Sequence, residues 1–215
     1  ACADKLALTA YRVEAGDVRR FTYRELAQMA DRVALGLSRL GVKPNDVVAC
    51  QLPNWWQFTV TYLACSRIGA VINPLMHIFR ERELNFMLKH GEAKVIIAPK
   101  VFRGFDYEQM ITAIQPNLPD LKHIVVVDGQ GANSFEALLS GPAWESEPDA
   151  ATILGAHRPG PDDITQLIAA QRSAVQRSDI RFSLSRSCSS KALLCFSSSF
   201  STILSSFPRC ATQFR

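Results

Sequence analysis

The sequence predicts an α/β fold in which a largely parallel sheet is flanked by helices, followed by an irregular tail rich in serine and arginine. Two observations carry this prediction. Up to Ile168, short apolar runs alternate with longer segments whose apolar residues recur at helical spacing. All eleven glycines lie at or before Gly160, and thirteen of the 45 residues from Gln171 onward are serine, so the alternating pattern stops there.

The first helix is predicted from a capping box. Thr22 and Glu25 stand three residues apart, so each side chain can accept a hydrogen bond from a backbone amide that the helix itself leaves unpaired. Gly41 is the residue predicted to end the helix. The apolar residues between them recur at helical spacing, namely Leu26, Met29, Val33, Leu37 and Leu40.

A buried strand and an apolar helix are predicted next. Residues 46–52 form a continuous apolar run between two prolines, as expected for a strand covered on both faces. Asn54 is predicted to cap a helix that continues to about Ile68. Cys50 falls in the strand and Cys65 in the helix, where a free thiol packs as a small hydrophobic group.

The alternation then repeats, which implies right-handed crossovers between parallel strands. The predicted elements are a strand at 70–73, a helix at 81–90, a strand at 93–98, a helix at 107–114, a strand at 122–127 and a two-turn helix at 134–139. An irregular stretch is predicted from Gly141 to Asp163.

The charge distribution divides the chain into two regions. Residues 169–215 contain seven basic residues and one acidic residue, a net charge of +6, which leaves −2 for residues 1–168 out of the whole-chain +4. We therefore predict a folded domain over 1–168 and an unrelated low-complexity tail over 169–215, either disordered or produced by a shifted reading frame. The mildly acidic domain argues against a nucleic-acid partner, while apolar residues in the basic tail favour self-association or aggregation.

No metal or redox site is predicted. The six cysteines include no C-x-x-C pair and no histidine at zinc-site spacing, so a reduced, cytoplasmic chain is expected. The most apolar stretch, residues 55–75, is interrupted by polar residues, and no transmembrane segment is predicted. The four histidines are expected at surface positions or helix ends: His77, His90, His123 and His157.

Three further patterns have structural interpretations. Gly129 and Gly131 are better explained by a turn after a strand than by a dinucleotide fingerprint. Residues 79–83 favour a solvated helix start with charge pairs along the helix. The aromatic residues Trp55, Trp56, Phe58 and Tyr62 favour a buried helix face, with a wall for an acyl substrate as the alternative.

A family resemblance rests on three stretches, in order and without large gaps. They are residues 21–26 with 37–48, residues 52–54 with 64–75, which include Gly69-Ala70-Val71-Ile72-Asn73-Pro74, and residues 79–84 with 92–97. From Phe21 to Ile168 the chain resembles the N-terminal region of the AMP-dependent synthetase and ligase superfamily, the adenylate-forming enzymes that include acyl-CoA synthetases. It is most similar to coenzyme A ligases for medium-chain, alicyclic or aryl acids.

The resemblance ends where that family places its phosphate loop. Residues 162–168 would be the strand leading into a Thr-Ser-Gly-Thr-Thr-Gly-x-Pro-Lys-Gly sequence, but here the next residues are Ala169-Ala170-Gln171-Arg172-Ser173. Phosphate loops need glycine because backbone amides must approach the phosphate closely and some positions require positive φ. No catalytic, cofactor-binding or metal-binding residue is therefore carried over to this chain.

The resemblance implies a parent function of AMP-forming acid:CoA ligation, with a small carboxylic acid, ATP, magnesium and CoA as its reactants and cofactors. The chain itself is interpreted as an inactive fragment of such a ligase, with a frameshift or retained intron after Ile168, and no cofactor is expected in it. The alternative is a non-catalytic binding or regulatory fragment that pairs with a full-length ligase through an unfilled sheet edge. The sequence alone does not decide between these two interpretations or whether the chain is enzymatically active.

Overall fold

The computed structural model describes residues 2–156, 160, 162–171 and 180–186, with side chains as far as Ile168. The strands are β1 Leu6–Arg12, β2 Asp17–Thr22, β3 Val47–Cys50, β4 Val71–Pro74, β5 Ala93–Pro99, β6 Val101–Phe102, β7 Phe105–Asp106, β8 His123–Val127, β9 Ile164–Gln171 and β10 Ile180–Arg186. The helices are α1 Tyr23–Arg39, α2 Trp56–Ile68, α3 Glu81–His90, α4 Tyr107–Ile114 and α5 Ala150–Ala156.

The main sheet has six strands in the order β10-β9-β4-β3-β5-β8. All neighbours except β9 and β10 run parallel, so five strands form the parallel sheet that the sequence predicts. Val48, Ala49 and Cys50 of the central strand β3 are fully buried, because helices cover both faces. The chain reverses direction across the sheet at β3, since β4 lies on one side of it and β5 on the other.

The capping box of α1 is confirmed. The Glu25 backbone amide donates to the Thr22 hydroxyl at 3.2 Å, and the Thr22 amide donates to the Glu25 carboxylate at 2.8 Å. The Thr22 amide and hydroxyl both donate to the Glu25 carboxylate and lower its pKa. At the other end, Gly41 has φ +82°, a left-handed conformation that glycine adopts without strain, and its amide donates to the Ser38 carbonyl.

Replacement of Thr22 by alanine is expected to lower the free energy of unfolding by about 1 kcal/mol, because the Glu25 backbone amide loses its side-chain acceptor. Urea unfolding monitored by circular dichroism measures the change. Thr112→Ala is the matched control, since the Thr112 hydroxyl bonds only to a carbonyl within α4 and no helix amide depends on it. Equal losses in the two variants would contradict a capping role for Thr22.

The start of α2 differs from the prediction by one residue. Trp55, not Asn54, is the N-cap, and it makes no side-chain capping bond. Both indoles at this helix start are buried, Trp55 at 4% and Trp56 at 5% exposure, so apolar burial rather than capping chemistry fixes the entry of the chain. The predicted burial of Cys50 and Cys65 as free thiols is confirmed.

Residues 134–149 form a segment, here called the strap, that lies across α1. The predicted helix at 134–139 is a π-helical turn at Glu136–Ser140, and the stretch predicted to be irregular contains a short turn at Trp144–Ser146 and α5. Arg32 of α1 pairs with Glu145, and Arg39 pairs with Asp149 at 2.6 Å. The sequence of the strap did not predict the turn at Trp144–Ser146, because the conformation of the strap depends on its contacts with α1.

An antiparallel hairpin of β1 and β2 precedes α1, the first element predicted from the sequence. Its inner face packs on the core through Ala10 and Phe21, and Phe21 meets Trp56 at 5.5 Å between ring centres. Its outer face exposes Tyr11 and Val18, which are cross-strand partners.

Strand β9 continues beyond the predicted end of the domain and pairs with β10 in an antiparallel hairpin. The recorded backbone pairing of β9 with β4 is at one position, Ile72 with Gln166, whereas its pairing with β10 extends over the whole strand. The edge of β9 that the sequence analysis expected to be unfilled is therefore covered by β10. Residues 172–179 and 187–215, which make up most of the predicted tail, lie outside the described residues.

None of the described helices combines the length and the apolar character that crossing a bilayer would require.

Candidate functional site

The reversal of strand order at β3 marks the place where ligands bind in open α/β sheets, outside the carboxyl ends of the strands on either side. Three connections meet there. Trp55 follows β3, His77 follows β4, and the β6–β7 hairpin follows β5. The rings of Trp55 and Phe102 are 5.9 Å apart, and those of Phe102 and His77 are 5.3 Å apart, so these connections form one contact network.

Two arginines, Arg80 and Arg103, gather at this edge around His77, and the three residues are here called the cationic cluster. The Arg80 guanidinium lies 4.1 Å from the ring centre of Phe105, and its Nη1 donates to the His77 carbonyl at 2.8 Å. The Tyr107 hydroxyl donates to the same carbonyl at 2.7 Å. The β4–α3 connection is thereby tied to α4 and the β6–β7 hairpin.

Arg103 occupies an unusual backbone position. It forms the turn of the β6–β7 hairpin with Gly104, and both residues have positive φ, +51° and +76°. Two-residue turns of this kind favour asparagine, aspartate or glycine, so an arginine here carries conformational strain. Its guanidinium lies 5.3 Å from the ring centre of Phe102.

The cationic cluster is electrostatically unbalanced. None of the ion pairs among the described side chains includes Arg80 or Arg103. The pKa of His77 is lowered, first by desolvation and then by the positive charges of Arg103 and Arg80. An anion bound among these groups would relieve their mutual repulsion and accept charge-assisted hydrogen bonds.

Among the predicted histidine positions, the helix end for His90 is confirmed. His90 lies at the C-terminal end of α3, stacked on Phe86, and His123 lies at the start of β8. His157 falls outside the described residues. His77 was predicted as an ordinary surface position, and its place beside Arg80 and Arg103 was not predicted.

The aromatic residues of α2 form a mainly structural face, as predicted. Trp56 packs between Phe21 and Phe135, and Tyr62 reaches the side chain of Gln166 at 3.4 Å. The predicted charge pairs at the start of α3 are not formed. The Arg80 amide instead donates to the Glu83 carboxylate at 3.2 Å, while the Arg80 side chain lies on Phe105.

The residues at the end of β9 do not fit the triphosphate group of ATP. The strand continues as Ala169-Ala170-Gln171, where closely approaching glycine amides would be needed. In the part of the chain that the structure describes, no three acidic, histidine or cysteine side chains are placed to share a metal ion. We therefore assign none of these residues a role in binding the triphosphate or magnesium.

The comparisons with known proteins agree with this architecture. A family model described as AMP-binding enzyme matches residues 1–169. The medium-chain fatty-acid–CoA ligase of Escherichia coli is 41% identical over 108 residues, which cover 50% of this chain and 19% of that protein. A 2-hydroxy-7-methoxy-5-methyl-1-naphthoate–CoA ligase of Streptomyces carzinostaticus is 35% identical over 107 residues, again 50% of this chain and 19% of the relative.

Solved structures share the fold. An anthranilate CoA ligase in complex with anthranoyl-AMP superposes with a TM-score of 0.68 at 21% identity, covering 86% of this chain and 31% of the other. A fatty acyl CoA synthetase of Mycobacterium tuberculosis gives a TM-score of 0.64 at 21% identity, covering 84% and 32%. The chain thus spans about a fifth of the length of the curated relatives described above.

Proposed function

Because the chain belongs to the AMP-binding enzyme family, we propose that it is an N-terminal portion of an AMP-forming acid:CoA ligase. In the parent reaction a carboxylate attacks the α-phosphate of ATP, giving an acyl-adenylate and pyrophosphate, and the thiol of CoA then displaces AMP. The support is the identity to acid:CoA ligases together with the shared sheet topology.

This portion does not complete that reaction by itself. Two features support this part of the proposal: the sequence after β9 carries no glycine, and the described side chains do not converge on a metal position. The acid, ATP, magnesium and CoA are accordingly reactants and cofactors of the parent enzyme. An alternative role, pairing with a full-length ligase through the edge of β9, has less support because β10 occupies that edge.

The contribution of this chain that the geometry supports best is binding of the nucleotide end of CoA. CoA carries a 3′-phosphate and a diphosphate on adenosine, and the cationic cluster offers two arginines that have no carboxylate partner among the described residues. Arg80 and Arg103 would hold phosphate oxygens from their positions over Phe105 and Phe102. The observation that carries this proposal is the convergence of His77, Arg80 and Arg103 at the switch point of the sheet.

Two further properties are part of the proposal. A cytoplasmic location is supported by the free thiols of Cys2, Cys50 and Cys65. Self-association is supported by apolar side chains exposed on the β1–β2 hairpin, with Val13 at 87% and Tyr11 at 63% exposure.

Isothermal titration with adenosine 3′,5′-bisphosphate, the nucleotide end of CoA without the pantetheine, tests the site. Arg103→Gly is expected to weaken binding about tenfold or more, since a charge-assisted hydrogen bond contributes about 1.5–3 kcal/mol. The same substitution relieves the positive φ at residue 103, so the thermal midpoint should stay the same or rise. Loss of affinity would then not be a consequence of unfolding.

Arg82→Gln is the matched control, because Arg82 is an exposed arginine two residues along α3 from Arg80. It should leave the affinity unchanged. Equal affinity of the wild type and Arg103→Gly would overturn the nucleotide site. ATP–pyrophosphate exchange with medium-chain and aryl acids tests the catalytic part separately, and measurable exchange by this chain would contradict its proposed inactivity.

A further inference from the structure

Arg12, the last residue of β1, reaches from the N-terminal hairpin to the carboxyl edge of the main sheet. Its side chain is 15% exposed and pairs with Asp128, the residue after β8, with Nη1 donating to Oδ1 at 3.1 Å. The guanidinium carbon lies 3.8 Å from the ring centre of Trp55. One arginine therefore joins three segments that are far apart in the sequence.

The Trp55 ring connects Arg12 to the cationic cluster. Trp55 meets Phe102 edge to face, and Phe102 also contacts the His77 ring and the Arg103 guanidinium. Trp55 and Phe102 are 4% and 6% exposed, so neither ring can turn without displacing its neighbours. The orientation of Phe102 thus depends on the position of Trp55, and through it on Arg12.

Burial of the Arg12 side chain also costs more free energy than formation of a surface ion pair would. Its Nε is buried and has no hydrogen-bond partner among the described residues, which is unfavourable for a charged donor. The cation over the indole and the Asp128 carboxylate offset this cost, and hydrogen bonding to Asp128 raises the pKa of Arg12. A mostly buried arginine with these contacts restricts the positions that Trp55 and Asp128 can adopt.

We propose that Arg12 is a positioning residue for the cationic cluster, which holds Trp55 and Phe102 so that His77 and Arg103 keep their separation. The inference rests on the proposed nucleotide site, because the cluster acts only if it binds an anion. No contact between Arg12 and the ligand is involved. The β1–β2 hairpin, which the family resemblance did not include, becomes part of the binding site through this one side chain.

The test uses the full chain with Arg12→Met, which keeps an unbranched apolar stem and removes the guanidinium. Two readouts are measured: the affinity for adenosine 3′,5′-bisphosphate, and the pKa of His77 from its ring-proton NMR signals. Affinity is expected to fall about fivefold, equivalent to about 1 kcal/mol. The pKa of His77 should rise, because a loosened Phe102 lets water reach the imidazole and lets the Arg103 charge move away.

Arg19→Met is the matched control. Arg19 lies in the same hairpin and over a tryptophan, at 5.5 Å from the ring centre of Trp56, but Trp56 contacts Phe21 and Phe135 rather than Phe102. It should change neither readout. If Arg12→Met does not fold, Asp128→Asn removes the ion pair at a half-exposed position and should move both readouts in the same direction by a smaller amount.

The outcomes separate this inference from the proposed function. If the wild type does not bind the nucleotide, the nucleotide site is wrong, and the His77 titration still reports whether Arg12 positions Phe102. If the wild type binds and neither readout differs between Arg12→Met and Arg19→Met, Arg12 has only a structural role. A fall in thermal stability with unchanged affinity and unchanged His77 titration leads to the same rejection.

Discussion

Replacement of Gly36 by valine is expected to lower the free energy of unfolding by about 3 kcal/mol, a large fraction of the stability of a domain this size. Gly36 lies in the last turn of α1, where the strap crosses the helix. A β-carbon at this position would lie 2.9 Å from both the Leu138 carbonyl oxygen and the Leu139 α-carbon. Both are backbone atoms, so a side-chain rotation cannot relieve the clash.

The cost would spread beyond the contact itself. The strap would have to move away from α1, which would strain the pairs that Arg32 and Arg39 form with it and uncover the fully buried Leu139. Urea unfolding measures the loss. Gly155→Ala is the control, because Gly155 is also helical but a β-carbon there meets nothing within 4 Å. That variant should be unchanged or slightly more stable, and a similar loss in both variants would show that close packing at Gly36 is not the cause.

Stability is also expected to fall steeply above pH 9, by about 2.7 kcal/mol per pH unit from two thiols. Burial raises the pKa of Cys65 from 9.0 to about 12, and burial also raises the pKa of Cys50. The folded chain keeps both protons where the unfolded chain has lost them. The stabilisation is therefore complete below pH 9 and decreases as the pH rises from there toward the folded-state values.

Urea unfolding at pH 9 and pH 10 gives the slope. Tyrosine side chains of the unfolded chain also titrate toward pH 10, so the difference between the wild type and Cys65→Ala isolates the contribution of the thiol. Cys65→Ala removes one of the two groups and should reduce the slope by about 1.4 kcal/mol per pH unit. Cys2→Ala serves as the control, because Cys2 is only partly buried. A slope that is the same in the wild type and Cys65→Ala would contradict a protonated, buried thiol at residue 65.

Local sequence signals predicted much of this fold. The limits of α3 and α4 agree with the predicted helices at 81–90 and 107–114. Each helix is short, and the amphipathic pattern of its residues begins and ends at the helix boundaries. The capping box predicted the first residue of α1 correctly. These signals act over three or four residues, so they are present in the sequence whatever the rest of the chain does.

The features that were missed depend on contacts between distant residues. The strap is held by arginines of α1 more than 100 residues away, and the start of α2 is fixed by burial of two indoles. The cationic cluster joins His77 to Arg103 across α3 and β5, so no spacing rule reveals it. One local signal was available: Arg103-Gly104 between two phenylalanines has the form of a two-residue hairpin turn.

The order of strands in the sheet also sets a constraint on synthesis. Strand β4 pairs with β3 on one side and with β9 on the other, and 89 residues separate Pro74 from Ile164. At typical translation rates the ribosome needs on the order of ten seconds to make those residues. During that interval β3, β4, β5 and β8 can already be assembled while the outer edge of β4 has no partner. Nascent chains on neighbouring ribosomes can therefore contact one another through the unpaired edge of β4. Pairing of β9 with β4 ends this exposure.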